Sequence, residues 1–136
     1  MKDSLTLHIG RAIEASRKAY VPYSQYKVGA VLVAADGLQV FTGCNVENAS
    51  YPASICAERT ALVKAISEGM QDFRGIIVAT ANGGSPCGIC RQMLYEFAPT
   101  MQVVCVTFEG DITIDTTLDQ LLLHGFGPSS LPASDA

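Results

Sequence analysis

Gly75 to Ala81 reads GIIVATA, seven residues without a charge. A run of that kind lacks the polar/apolar alternation of a half-exposed strand, so it predicts a strand buried on both faces. Such a strand needs partners beside it in a sheet and helices above and below. The rest of the chain supplies both. Lys27 to Ala35 (KVGAVLVAA) and Leu38 to Thr42 flank Asp36-Gly37, a dipeptide that favours positive φ and a tight hairpin. Gln102 to Phe108 and Ile112 to Thr116 read as a second strand pair around Glu109-Gly110-Asp111.

Helical stripes separate these runs. Leu5, Ile9, Ala12, Ile13 and Ser16 recur at helical spacing from Ser4 to about Tyr20, with Asp3 or Ser4 available as N-cap. Ala57, Ala61, Leu62, Ala65 and Ile66 form a stripe over Cys56 to Glu68, and Gly69 stops it. Ser85-Pro86 is predicted to start a third helix with Ile89, Met93, Leu94 and Phe97 as its stripe, and Leu118 to Leu123 a short fourth. The order α-β-β-α-β-α-β-β-α predicts an α/β fold, a three-layer α/β/α sandwich around a mixed five-stranded sheet.

At 136 residues and 49% hydrophobic, the chain is expected to form one domain over residues 1–126, followed by a partly disordered tail over 127–136. Nine Lys and Arg against thirteen Asp and Glu give a formal net charge of -4, and the nine form no run, which disfavours a polynucleotide partner. Neither a secretory apolar stretch nor a bilayer-length run is expected from Met1 onwards. Five cysteines, an odd count, fit a reducing cytoplasm better than a disulfide framework.

Three of those cysteines have metal-ligand spacing. Cys56 lies two residues before Glu58, and Pro86, thirty residues beyond Cys56, opens Cys87-Gly88-Ile89-Cys90. Both groups fall at predicted helix N-termini, where unpaired N–H groups and the helix dipole stabilise thiolates. Three thiolates leave the fourth position of a zinc tetrahedron open, the arrangement of a catalytic site, and Glu58 is placed to serve a water there. Cys105, in mid-strand, reads as core. Cys44 remains open as a fourth ligand that would close the site. His8 and His124 are read as exposed or helix-terminal, without ligand spacing.

Cys56-Ala57-Glu58-Arg59 and Pro86-Cys87-Gly88-Ile89-Cys90-Arg91 resemble the two halves of the zinc-dependent deaminase signature, a class that includes sites of three cysteines with a non-ligand Glu. Gly43 to Ala49 (GCNVENA), Tyr20 to Ser24 (YVPYS) and Leu121 to Pro128 (LLLHGFGP) narrow the resemblance to the cytidine deaminases of the short, homotetrameric type, over nearly the whole chain.

The resemblance implies hydrolysis of cytidine and deoxycytidine to uridine and deoxyuridine plus ammonia, in pyrimidine salvage, with one zinc per subunit. Zinc would lower the pKa of a water, Glu58 would carry its proton to ring N3 and a second to the exocyclic nitrogen, and hydroxide would attack C4. It also implies Asn45 and Glu47 as ribose partners, with Ala57, Tyr26 and Tyr51 near the substrate. Phe126 would reach it from a neighbouring subunit. Without the resemblance, Asn45 and Glu47 are solvated loop polars, Phe126 a core aromatic and Tyr51 a core or surface residue. Three thiolates and Zn²⁺ sum to a formal -1, and the resemblance assigns Arg59 to disperse that charge. Arg91 is expected, from its adjacency to Cys90, to do the same.

Three alternatives bound this reading. A blasticidin S deaminase shares C-A-E and P-C-G-x-C-R-Q, but Asn45-Val46-Glu47-Asn48 argues for a ribonucleoside. A non-catalytic zinc-stabilised module would need an idle Glu58 and a closed fourth site. A polynucleotide-editing deaminase is opposed by the acidic balance.

Overall fold

A computed structural model of the chain describes residues 4–132. Four helices, α1 (Leu5–Ser16), α2 (Ala57–Ser67), α3 (Gly88–Tyr95) and α4 (Leu118–Leu121), accompany five strands. These are β1 (Gly29–Ala34), β2 (Val40–Cys44), β3 (Phe73–Thr80), β4 (Gln102–Thr107) and β5 (Ile112–Thr117), in the element order predicted. They form one mixed sheet, β2-β1-β3-β4-β5, antiparallel throughout except for the parallel pair β3/β4 that α3 connects. Gly37 at φ 74° closes the β1/β2 hairpin as its position after Asp36 requires, and Asp36 Oδ1 accepts from the Leu38 and Gln39 amides.

The apolar runs divide by parity between two cores, because successive strand residues face opposite sides. Ala30, Leu32, Ile76, Val78, Val103 and Cys105 pack with Ala57, Ala61, Leu62, Leu94 and Leu118 of the other helices. Val31, Val33, Ile77, Ala79, Val104 and Val106 lie on the opposite side with Ala12, Leu5, Ile9 and Ile13 of α1. Both helix layers come very close. A Cβ on Gly29 would fall 1.9 Å from the Ala12 carbonyl oxygen, and one on Gly43 2.5 Å from that of Ala57. Glycine at Gly43 therefore lets the first turn of α2 lie directly on β2.

Some expectations need correction. Helix α3 begins at Gly88, after an extended Cys87 (ψ 168°), and not at Ser85-Pro86, because Arg91 reaches back to hold Pro86 O and Ser85 Oγ outside the helix. Its buried face is Cys90 and Leu94, while Ile89 is exposed. His8 is buried at 2% exposure, with Nε2 3.1 Å from Ser4 Oγ, because it flanks the α1 stripe that packs on the sheet. Ser4 takes the N-cap position of α1, and Asp3 lies outside the described residues. Within the expected tail, Pro128–Ser130 forms a 3-10 turn, and residues 133–136 lie outside the described ones. Among the described residues, no helix is long and apolar enough to cross a membrane.

Gly29 pairs with both Cys44 and Ala79, and Thr80 with Thr107. The start of β1 and the ends of β2, β3 and β4 therefore share one edge of the molecule. From it run the segments 17–28, 45–56 and 81–87, which carry Tyr26, Asn45, Glu47, Tyr51, Cys56 and Cys87, while the first turns of α2 and α3 carry Ala57, Glu58, Arg59, Cys90 and Arg91.

Candidate active site

Cys56 and Cys87 are the N-caps of α2 and α3, each with extended backbone that turns its side chain across the helix mouth. Cys90 follows one turn into α3 and is fully buried. The sulfurs of Cys56 and Cys87 are 3.7 Å apart, those of Cys87 and Cys90 3.4 Å, and all three lie within 4.8 Å of one another. Two thiolates on a tetrahedral zinc, each at about 2.3 Å, stand about 3.8 Å apart. The donor set therefore fits zinc in both spacing and softness. Among the described residues this is the one metal-ligating cluster, and it includes neither Cys44 nor Cys105. Burial pushes the Cys105 thiol up to about 11, which suits an inert core sulfur.

The trio is already polarised. Hydrogen bonding from Cys90, then the guanidinium of Arg59 and the Cys87 thiol, pull Cys56 down to about 5 against the effect of burial. The Cys90 thiol is pushed up in turn, by its bond to Cys56 and by burial. Arg59 Nη2 donates to Cys56 Sγ at 3.6 Å and to Ser54 O at 3.2 Å. Arg91 does not do the same, which corrects the expectation from its adjacency to Cys90. Its guanidinium donates to Pro86 O, Leu121 O and Ser85 Oγ, each at 2.7 Å, tying the start of α3 to α4.

Glu58 stands in the first turn of α2 at 4% exposure, beside these sulfurs. Burial pushes its carboxyl up to about 7, partly opposed by a backbone hydrogen bond, and the charge of Cys56 adds to the rise. A buried carboxyl two residues from a metal ligand can hold or release a proton without being a ligand itself.

Around the centre, the polar residues of the 45–48 segment hold the mouth of the site together. Asn45 Oδ1 accepts from the Val28 amide at 2.9 Å and its Nδ2 donates to Tyr26 O at 2.8 Å. Glu47 Oε1 accepts from the amides of Tyr23 and Ser24, and Oε2 from Ser24 Oγ, which lowers its pKa through the Ser24 hydroxyl first. Glu47, Tyr23, Ser24, Tyr51 and Ser54 bound a hollow of about 320 Å³. Tyr23 and Tyr51 meet edge to face there, centroids 5.6 Å apart. Tyr26 Oη donates to Asn82 Oδ1 at 2.5 Å. Ala57, at the first position of α2, is fully buried.

Phe126 is 57% exposed and Tyr51 69%, so neither ring is core within this chain. Gln92 Nε2 donates to Phe126 O at 2.7 Å and fixes the segment after α4 against α3. Sequence reasoning missed Ser24, Asn82 and Gln92. Their roles depend on partners 23, 56 and 34 residues away, and no local pattern marks them.

The family model described as the cytidine and deoxycytidylate deaminase zinc-binding region matches residues 3–107. The chain is 43% identical over 126 residues to a cytidine deaminase of Sporosarcina psychrophila, covering 90% of this chain and 91% of that one. It is 46% identical over 121 residues to one of Halalkalibacterium halodurans, covering 87% and 90%. The crystal structure of cytidine deaminase from Burkholderia pseudomallei is similar at a TM-score of 0.83 and 46% identity, over 89% of this chain and 98% of that one.

Proposed function

This chain belongs to the cytidine and deoxycytidylate deaminase family, and we propose that it hydrolyses cytidine and deoxycytidine to uridine and deoxyuridine with release of ammonia. The observation that carries the reading is the triangle of Cys56, Cys87 and Cys90 sulfurs beside a buried, non-ligating Glu58. Zinc held by the three sulfurs supplies Lewis acidity that makes water a competent nucleophile at neutral pH.

The chain's own residues do the rest. Glu58 accepts the proton of the attacking water and delivers it to ring N3, as the bond from oxygen to C4 forms. It then carries the proton of the new C4 hydroxyl to the exocyclic nitrogen, and the C4–N bond breaks to release ammonia and leave the C4 carbonyl. One buried carboxylate serves both transfers because donor and acceptor atoms are within its reach. Arg59 disperses the thiolate charge that would otherwise oppose ionisation of the water.

Glu47 and Asn45 face the sugar. Their oxygens keep lone pairs for its hydroxyls, and the negative charge of Glu47 disfavours a phosphate there. Ala57 offers a backbone N–H with no partner one turn back in the helix. Tyr26 and Tyr51 wall the base and the mouth. The exposed rings of Tyr51 and Phe126 support a homotetramer in which neighbouring subunits complete one another's sites. Residues 1–126 act as one catalytic domain in the cytoplasm, where thiols stay reduced. Incubation of the zinc-loaded protein with cytidine, followed by the ultraviolet change to uridine and by ammonia release, tests the reading. Zinc-loaded protein that leaves cytidine unchanged overturns it.

A further inference from the structure

The 81–87 segment that delivers Cys87 is held from two directions. From the sheet, buried Thr80 donates from Oγ1 to Asn82 Oδ1 at 3.3 Å and accepts from the Gly84 amide at 3.0 Å. Thr113 Oγ1 donates to Gly83 O at 2.7 Å. Gly83 itself has φ 71°, and a Cβ there would meet Thr113 Cγ2 at 2.4 Å, so the segment is seated tightly on β5. From the mouth of the site comes one side chain, Tyr26, whose hydroxyl donates to Asn82 Oδ1 at 2.5 Å across 56 residues of sequence.

Tyr26 is tied equally well on its other side. Its amide donates to Ser24 Oγ at 3.0 Å, and its carbonyl accepts from Asn45 Nδ2 at 2.8 Å. Ser24 Oγ in turn donates to Glu47. A continuous hydrogen-bonded path therefore runs from Glu47 through Ser24 and Tyr26 to Asn82, and on to the backbone that ends at Cys87. No other side-chain hydrogen bond described for residues 20–28 crosses to 81–87.

We propose that the Tyr26 hydroxyl is a positioning group, a clasp on Asn82 that makes the sugar-facing segment and the Cys87-bearing segment move as one body. The inference rests on the deaminase reading and deepens it. A nucleoside spans from Glu47 at its sugar to the sulfur triangle at its base, and the clasp fixes that span. Its loss leaves each segment folded but lets their separation vary, which lowers the fraction of bound substrate correctly placed at both ends.

Tyr26→Phe removes the donor and Asn82→Leu the acceptor. Each is expected to raise KM and to lower kcat/KM for cytidine by about tenfold, and the double variant to be no worse than the poorer single one. Zinc content should stay at the wild-type value. Amide hydrogen exchange without substrate should rise in both segments, 22–26 and 82–86, in either single variant. Exchange that rises only around the substituted residue, or additive losses in the double variant, overturns the clasp. The exchange result judges the clasp without reference to turnover, whereas absence of cytidine turnover in the wild-type protein overturns the deaminase reading. Coupled exchange with kinetics equal to wild type overturns the positioning role.

Discussion

Arg59 Nη2 lies 3.6 Å from Cys56 Sγ, three residues earlier and hence one turn away on the same helical face, and its second bond to Ser54 O prevents it from swinging clear. Among the described residues this is the only guanidinium hydrogen-bonded to the cysteine cluster, since Arg91 is committed to carbonyls and Ser85. Arg59→Gln is therefore expected to weaken zinc retention or turnover by about 10- to 100-fold. Metal analysis after dialysis against a chelator, together with steady-state kinetics, checks it. A variant equal to wild type in both would mean that the formal -1 of the site is neutralised elsewhere.

The sulfur triangle makes a prediction about all five cysteines. Cys56→Ala, Cys87→Ala and Cys90→Ala should each lose metal and activity, whereas Cys44→Ser and Cys105→Ala should keep zinc. Zinc loss in Cys44→Ser would indicate a closed four-cysteine site and favour a structural role for the metal.

Glu58→Gln preserves shape and the buried position but cannot carry a proton. Zinc should stay at one per subunit while kcat falls by more than the roughly 10² to 10⁴ typical of a single acid–base step. Retention of even about a tenth of wild-type kcat would assign the proton transfers to another group.

What was legible in the sequence was what local spacing controls. The unbroken apolar run of GIIVATA and its companions marked the strands, and C-x-x-C placed two sulfurs on one turn. The destination of Arg91 was not legible, because the Leu121 carbonyl that holds it lies thirty residues away on α4. Nor was the burial of His8, since a residue on the flank of an apolar stripe is buried or exposed according to how closely the helix lies on its sheet. Here Gly29 lets α1 approach almost to backbone contact. Tyr26 and Asn82 meet only once the sheet has brought two loops to one edge.

Buried His8 also sets a pH dependence. Burial, and then the charge of Arg11, hold its folded pKa below the ordinary 6.5. The unfolded chain therefore binds the proton first as pH falls. The contribution of neutral His8 is complete above the unfolded value and is lost as pH drops through about 6.5 towards the lower folded pKa. Urea midpoints between about pH 7.5 and 5 should fall more steeply for wild type than for His8→Gln. Zinc release at acid pH affects both proteins alike. Parallel curves would show that His8 titrates in the folded protein as it does in the unfolded one.

The exposed ring of Phe126 gives the most direct test of shared sites. Its carbonyl is fixed by Gln92, which holds the segment against α3 while the ring points away from this chain's core. Phe126→Ala should lower kcat/KM for cytidine by about 1–3 kcal/mol of lost aromatic contact and leave zinc content unchanged. Mixing Phe126→Ala with Glu58→Gln subunits, under conditions that allow exchange, separates the two possible owners of the ring. If a neighbour's Phe126 completes each site, mixed tetramers contain some sites with Glu58 and Phe126 both intact and others with both defects. Activity then departs from the weighted mean of the two variants in proportion to the number of mixed interfaces, and varies with subunit ratio. Activity on the weighted mean at every ratio, with exchange verified by mass, would mean that each Phe126 serves only its own subunit.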